Sequence, residues 1–134
     1  MDPIEFVVPG TPISGQSPGP TLEDWKGRIR RAAREVAPGP LPTRDDVSLT
    51  ITYLYEEHPT TADLDNLVKA IQDALAGILF DNDSQVCDLR CRRRDIYGAY
   101  VVADVSPTLV QAIQAGAECV YIRVEDPPSS EVLE

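Results

Sequence analysis

The segment at residues 63–83, DLDNLVKAIQDALAGILFDND, carries carboxylates at both ends of a stretch with helical periodicity. Asp63 and Asp65 open it. Lys69 follows Asp65 by four residues, which places the two side chains on one helix face, either as an ion pair or as parts of a site. A helix start favours acids, so one aspartate is explained as a cap. The second aspartate, and Asp83 at the far end, are not explained in this way.

Converging carboxylates repel one another, and a hard divalent cation relieves that repulsion. Mg²⁺ prefers oxygen ligands, takes few protein carboxylates and keeps several waters. Such waters suit phosphodiester hydrolysis, and a nearby lysine stabilises charge that develops on the phosphate or the leaving oxygen. A helix of this length is roughly 20 Å long, so its two ends cannot meet locally. The hypothesis therefore requires the turn before "SQV" to fold back beside the helix start.

Alternation, apolar periodicity and turn residues predict the elements that must position these groups. The second helix follows from Asp65, and a third has Ser106 as its cap, Pro107 at its first position and Gly116 past its end. The first helix is expected to be capped by Thr21. Strands are predicted at residues 4–8, 47–56, 85–94, 98–105 and 118–124, with the third and fourth joined as an antiparallel hairpin. We expect an α+β fold, a single mixed or antiparallel sheet with helices packed on it.

Composition limits the class of protein. The chain has 134 residues, which favours one domain, and a formal net charge of −10 at pH 7. It lacks an apolar run of the ~20 residues that cross a bilayer. The acidic start leads directly into a strand, unlike a signal peptide, so a cytoplasmic location without membrane attachment is expected. Cys87 and Cys91, on a predicted strand, are expected to be small buried residues in a reducing compartment, and three cysteines with a single histidine, His58, argue against a zinc site.

Two basic islands interrupt this acidic composition, DWKGRIRRAARE and RCRRR. Either could be a solvated charged surface. Together they are the candidate contacts to a polyanion such as DNA. The candidate DNA-binding residues are Arg30, Arg34, Arg90, Arg92, Arg93 and Arg94.

The stretch DLDNLVKAIQDAL-GILFDNDSQV resembles the RusA-type Holliday-junction resolvases, a family of crossover-junction endodeoxyribonucleases. The similarity lies in an acid-x-acid-Asn helix start, a lysine one turn later, "DAL", and acids before "SQV". The upstream FVVPGTPIS is similar to the family's opening strand and Gly-x-Pro turn. The resemblance covers about residues 4–105.

This resemblance implies a homodimer that binds four-way DNA junctions and makes paired, symmetric nicks with Mg²⁺, for which Mn²⁺ can substitute. Its metal-binding acids fall on Asp63, Asp65 and Asp83, and its catalytic lysine falls on Lys69. Arg93 stands about where a strand lysine commonly lies. We expect a RusA-like domain over residues 1–124, with an extra helix and strand from about 106, and a disordered acidic tail over 125–134.

Two departures keep alternatives open. Asn82 stands where the family usually has an acid, and ISGQSPGPT lacks the basic residues that follow the family's Gly-x-Pro turn. One alternative is a diverged, non-cleaving member that binds DNA or a protein partner. Another is an unrelated α+β domain whose acids are only caps and turns.

Overall fold

A computed structural model describes residues 1–37, 39, 41–102 and 106–128. The elements in chain order are β1 (Ile4–Pro9), α1 (Gly19–Val36), β2 (Val47–Tyr55), α2 (Leu64–Leu75), β3 (Val86–Asp95), α3 (Pro107–Ala115) and β4 (Cys119–Glu125). A single turn of 3₁₀-helix at Asp83–Gln85 leads into β3. Among the described residues, no helix is long and apolar enough to cross a bilayer.

The four strands form one mixed sheet in the order β1-β4-β2-β3. β4 is antiparallel to both of its neighbours, whereas β2 and β3 are parallel. Parallel neighbours need a crossover connection, and α2 is that crossover. The predicted α+β class and mixed sheet are therefore confirmed.

The core lies between one face of the sheet and the helices α1 and α2. Alternate residues of β1, β2 and β4 point into it, as the pleat requires, and α1 and α2 contribute apolar stripes at helical spacing. Each fully buried large side chain contributes about 1.5–3 kcal/mol. Fully buried members include Trp25, Ile29, Leu49, Ile51, Tyr53, Leu67, Ile71 and Leu75. A smaller cluster beneath α3 on the other face contains Leu54, Ile96, Ala112 and Cys119.

Three local expectations are wrong. Thr21 does not cap α1, because the helix already begins at Gly19 with proline in its first turn. The hairpin is not formed: β3 pairs with β2 in parallel, and residues 98–102 are not a strand. The remaining residues of that expectation, 103–105, lie outside the described residues, as does most of the predicted tail, 129–134. Cys87, expected to be buried, is exposed.

Candidate active site

The start of α2 presents two exposed aspartates. Asp63 occupies the N-cap position, yet its side chain makes no capping hydrogen bond, and Asp65 lies in the first turn. Both side chains are exposed. Within the described part of the chain, neither carboxylate has an ion-pair partner within 4.0 Å, and neither pairs with Lys69. The capping and ion-pair explanations of these acids are therefore not realised.

The Gly-x-Pro loop passes directly over this helix start. The Gly15 N–H donates to the carbonyl oxygen of Asn66 at 3.1 Å. A Cβ at Gly15 would lie 3.4 Å from that oxygen and 3.7 Å from Lys69 Cβ and Cγ. A side chain at this position would make van der Waals contact with the helix start and the stem of Lys69, which shows how closely the loop packs on α2.

An open pocket of about 430 Å³ lies between this loop and the segment that enters α2. Its lining is mostly polar, and Asp63 is the one charged residue among the described residues that line it. Small hydroxyl and amide side chains supply most of the remaining polar atoms. The lining residues are Thr11, Pro12, Ile13, Ser14, Gln16, Ser17, Thr60, Thr61, Ala62, Asp63 and Asn66.

Arg93, near the end of β3, holds the segment that enters α2. Its Nη1 donates to the carbonyl oxygen of Thr60 at 2.9 Å and to that of Ala62 at 3.4 Å. Arg93 pairs with Tyr53 of β2 in register, and it faces the α2 side of the sheet. Nη1 carries two N–H donors, so this one nitrogen can serve both carbonyl oxygens. Arg93, which stands about where the resembling family commonly has a strand lysine, therefore fixes the backbone directly before Asp63.

A second tether to the same segment runs through Tyr53. Its hydroxyl donates to Glu118 Oε2 at 3.0 Å and accepts from the Thr60 N–H at 3.2 Å. Burial raises the pKa of Tyr53 to about 12, although the hydrogen bond from Thr60 opposes that shift. The hydroxyl therefore keeps its proton near neutral pH and remains the donor to Glu118.

Glu118 gathers several donors at the start of β4. Thr11 Oγ1 and the Tyr53 hydroxyl donate to one carboxylate oxygen, and the Glu56 N–H donates to the other at 2.9 Å. Burial alone would raise the pKa of Glu118, but these three hydrogen bonds outweigh it and hold the pKa below its ordinary value. The carboxylate thus joins the Gly-x-Pro loop, β2 and the segment before α2.

Asp83 lies at the opposite end of the strands from Asp63 and Asp65. Because β2 and β3 are parallel, the segment that enters α2 follows the C-terminal end of β2, whereas the turn that carries Asp83 precedes β3 beside the N-terminal end. The nine residues of β2 separate these two ends of the strands by roughly 26 Å. Among the described residues, no three His, Cys, Asp or Glu side chains are grouped to hold a metal ion. The expected convergence with Asp63 and Asp65 does not occur within one chain.

Asn82, the departure from the family pattern, caps this turn. Its side chain accepts from the Ser84 N–H at 2.9 Å, and the Gln85 side chain accepts from the Asn82 N–H at 2.8 Å. Gln85 Nε2 also donates to the carbonyl oxygens of Thr43 and Asp45. Asp81 pairs with Arg44 at 3.4 Å in an exposed position. The turn before β3 is thus fixed by its own hydrogen bonds and leaves Asp83 exposed.

The predicted DNA-binding arginines fall on separate surfaces. Arg90, Arg92 and Arg94 line an open groove of about 240 Å³ on the α3 face of the sheet, together with Thr52 and Tyr100. Arg93 points to the other face. The α1 arginines, Arg30 and Arg34, belong to a helix that packs on β1 and α2. Since β1 and β3 are opposite edges of the sheet, the two basic islands of the sequence are not one surface in a single chain.

The sequence pattern did not single out Tyr53 or Glu118. Tyr53 is one of several strand tyrosines, and Glu118 is one of many acids in an acidic chain. Their roles depend on contacts across 65 residues of sequence, which no local periodicity encodes.

Comparison with known protein families finds a match. The family model described as "Endodeoxyribonuclease RusA" matches residues 18–105, from the residue before α1 to beyond β3. The matched region contains the whole 63–83 segment and the basic strand. No curated protein matches the chain significantly.

Proposed function

Because the chain belongs to the RusA family of endodeoxyribonucleases, we propose that it is a Mg²⁺-dependent endonuclease that resolves four-way DNA junctions by paired, symmetric nicks. The observation that carries this proposal is the start of α2. There, two exposed carboxylates that have no ion pair or capping hydrogen bond among the described residues lie beside an open polar pocket, with Lys69 one turn further along. The acids and the lysine of the family motif thus face solvent on one short stretch of backbone.

The side chains at this position fit a hard divalent cation. Asp63 and Asp65 offer only oxygen donors, and Mg²⁺ commonly uses one or two protein carboxylates and keeps several waters. A carboxylate that neither caps its helix nor pairs with a cation among the described residues is available for that role. When bound, Mg²⁺ lowers the pKa of a water and shields charge on the phosphate.

The chain's own residues then orient the substrate. In hydrolysis, a water oxygen bonds to phosphorus while the bond from phosphorus to the leaving sugar oxygen breaks, and that oxygen gains a proton. The Lys69 ammonium would stabilise the negative charge on the phosphate and the leaving oxygen. The hydroxyl-lined pocket beside Asp63 offers donors for neighbouring phosphate oxygens. Arg93, Tyr53 and Glu118 hold the backbone before Asp63 in place.

Affinity for DNA comes from the arginine groove on β3. Phosphate contacts from arginine dominate such affinity and make it depend on salt. Arg90 and Arg94 are exposed, while Arg92 Nε donates to Thr52 Oγ1 at 3.0 Å. A local basic groove lets an acidic chain bind a polyanion at one surface. A homodimer would present two such grooves and two helix starts, which suits a twofold junction.

The test is a cleavage assay on a labelled four-way junction with Mg²⁺, beside a linear duplex of the same sequence. We compare the parent with Asp63→Asn, Lys69→Ala and the matched control Asp73→Asn, an exposed position on the same helix. The parent and the control are expected to make paired nicks in the junction. The Asp63 and Lys69 variants should lose activity on the order of 10²–10³-fold, with junction affinity largely kept.

Other outcomes separate the alternatives. Nicking by Asp63→Asn at the parent's rate would contradict the assigned site. Junction binding by the parent without nicks would indicate the diverged, non-cleaving member, for which the capping role of Asn82 is the supporting observation. If the parent neither binds nor nicks the junction, the partner of this chain is a protein instead of DNA.

A further inference from the structure

The arginine groove on the α3 face of the sheet has one charged wall and one apolar wall. The charged wall is the run Arg90, Arg92 and Arg94, alternate residues that share one face of β3 and are spaced by roughly 6.6 Å. The apolar wall includes Leu109 and Ile113, which lie one turn apart on α3. The groove between them has a volume of about 240 Å³.

The charges of this groove have no counterions among the described residues. No carboxylate in that part of the chain lies within 4.0 Å of the three guanidinium groups. Arg92 Nε donates to Thr52 Oγ1 at 3.0 Å, and Arg94 Nη1 donates to the carbonyl oxygen of Arg93 at 2.9 Å. Both acceptors are neutral, so positive charge stays uncompensated beside apolar surface.

Tyr100 and Val101 line the groove near the end of β3. Tyr100 is 37% exposed, and Val101 is 99% exposed. The Tyr100 hydroxyl donates to the carbonyl oxygen of Asp95, which holds the ring close to Arg94. A Cβ at Gly98 would lie 2.8 Å from Cζ of Tyr100, so the ring uses space that a side chain there would fill. An exposed aromatic ring beside a row of arginines is a surface on which a nucleobase can stack.

Resting on the proposed function, we propose that this groove binds an unpaired segment of DNA, a few nucleotides long, with its phosphates on the β3 arginines and its bases against Tyr100 and the apolar wall. A duplex presents phosphates but hides the faces of its bases in the stack, whereas an unpaired strand offers both together. The second pattern matches a groove with one charged and one apolar wall. Because the family match ends at residue 105, before α3, family membership does not imply this apolar wall.

The groove ends near the same end of the strands as the start of α2. Tyr100 follows the C-terminal end of β3, and the segment that enters α2 follows the C-terminal end of the parallel strand β2. A base that is already unpaired costs little to bind in this way, whereas a base in an intact duplex must first be unstacked. Strands that part at the branch point of a junction therefore enter the groove more readily than a linear duplex, which favours branched DNA as the substrate.

The first test measures binding without Mg²⁺ and needs no cleavage. Fluorescence anisotropy compares a labelled oligothymidylate with a labelled duplex of the same length. Tyr100→Ala should weaken binding of the single strand roughly 5–100-fold, the value of one stacked base, and leave duplex binding unchanged. Tyr100→Phe keeps the ring and should bind like the parent. Tyr97→Ala, an exposed tyrosine on the same loop but outside the groove, is the matched control and should also bind like the parent.

Three outcomes of this test would overturn the proposal. Equal affinities of Tyr100→Ala, Tyr100→Phe and the parent, or equal losses in both variants, would show that the ring is not a stacking surface. Polyglutamate that displaces the oligothymidylate at an equal concentration of negative charge would assign the groove to an acidic protein. Oligouridylate bound more tightly than oligothymidylate would assign it to RNA.

The second test locates the contact by photocrosslinking. An oligothymidylate that carries iodouracil should crosslink to Tyr100, as read by tandem mass spectrometry of the tryptic peptide 95–123, and the crosslink should be lost in Tyr100→Ala. Crosslinks confined to residues outside the groove would overturn the proposal. If the parent does not nick junctions, the proposed function fails and these binding measurements still decide the groove. If the parent nicks junctions but Tyr100→Ala binds the single strand like the parent, the proposed function stands and the groove assignment is wrong.

Discussion

The Arg93 guanidinium donates a 2.9 Å hydrogen bond to the carbonyl oxygen of Thr60, which ties the end of β3 to the segment that leads into Asp63. A residue chosen from the sequence as a DNA contact is therefore engaged with backbone. It holds the backbone before Asp63, whereas Arg90, Arg92 and Arg94 face the opposite side of the sheet.

Arg93→Lys tests this positioning role. Lysine keeps the charge, but its shorter side chain ends in a single ammonium and lacks the planar guanidinium whose Nη1 reaches the Thr60 and Ala62 carbonyl oxygens. We expect junction nicking to fall by about 10²-fold, the cost of a small misplacement at a reacting centre, with little change in junction affinity. Arg31→Lys, on the exposed face of α1, serves as the control. A parallel loss of affinity and rate would show that Arg93 contacts DNA instead.

Tyr53→Phe removes one hydroxyl that serves two partners. The Glu118 carboxylate loses a donor and the Thr60 N–H loses its acceptor. The free energy of unfolding, measured by urea denaturation, should fall by about 1–3 kcal/mol, since both partners are partly buried. Tyr55→Phe is the matched control, because its hydroxyl has no hydrogen-bond partner among the described residues. Equal effects of the two substitutions would refute the tether.

Because the pKa of Glu118 is lowered, we expect the free energy of unfolding to depend on pH. Its pKa in the folded protein lies below the ordinary value of 4.5, so the folded state favours the charged form. The resulting stability is fully present above pH 4.5 and is lost as the pH falls through the lowered folded pKa. Glu118→Gln should therefore reduce the loss of stability on acidification, in unfolding curves recorded between neutral and acidic pH. An unchanged pH profile in the variant would contradict this assignment.

The arginine groove predicts how junction binding responds to salt. Arg90→Gln and Arg94→Gln should each lower the slope of log affinity against log salt concentration by roughly 0.7–0.9, the value of one lost phosphate contact. Arg31→Gln removes the same charge outside the groove and should leave the slope unchanged. Fluorescence anisotropy with a labelled junction measures the affinity of all three variants. Slopes equal to that of the parent for Arg90→Gln and Arg94→Gln would show that DNA binds outside this groove.

Elements with local signals could be predicted from the sequence. The apolar stripe of α2 and the cap, first-turn proline and terminal glycine of α3 depend on residues within a few positions of each other, and both helices form as expected. Thr21 misled because a cap residue also fits inside a helix that starts earlier. The partner of β3 has no local signal, so an antiparallel hairpin and a parallel crossover were equally open to that strand.

The candidate site also combines residues that local sequence spacing predicts with residues whose positions depend on strand pairing. Asp63, Asp65 and Lys69 share one helix, and their spacing alone places them together. The position of Asp83 depends on the direction of β3 relative to β2, which is a property of the whole sheet. The tethers from Arg93 and Tyr53 cross between strands and loops and required the structure.

We propose that the start of α2 holds a divalent cation, and anomalous diffraction from crystals grown with Mn²⁺ is the decisive measurement. We expect a manganese peak about 2.1 Å from a carboxylate oxygen of Asp63 or Asp65, and its loss in crystals of the doubly substituted variant D63N/D65N. A peak held by Asp81 and Asp83 of one chain, or the absence of any peak at this helix start at saturating Mn²⁺, would contradict the account.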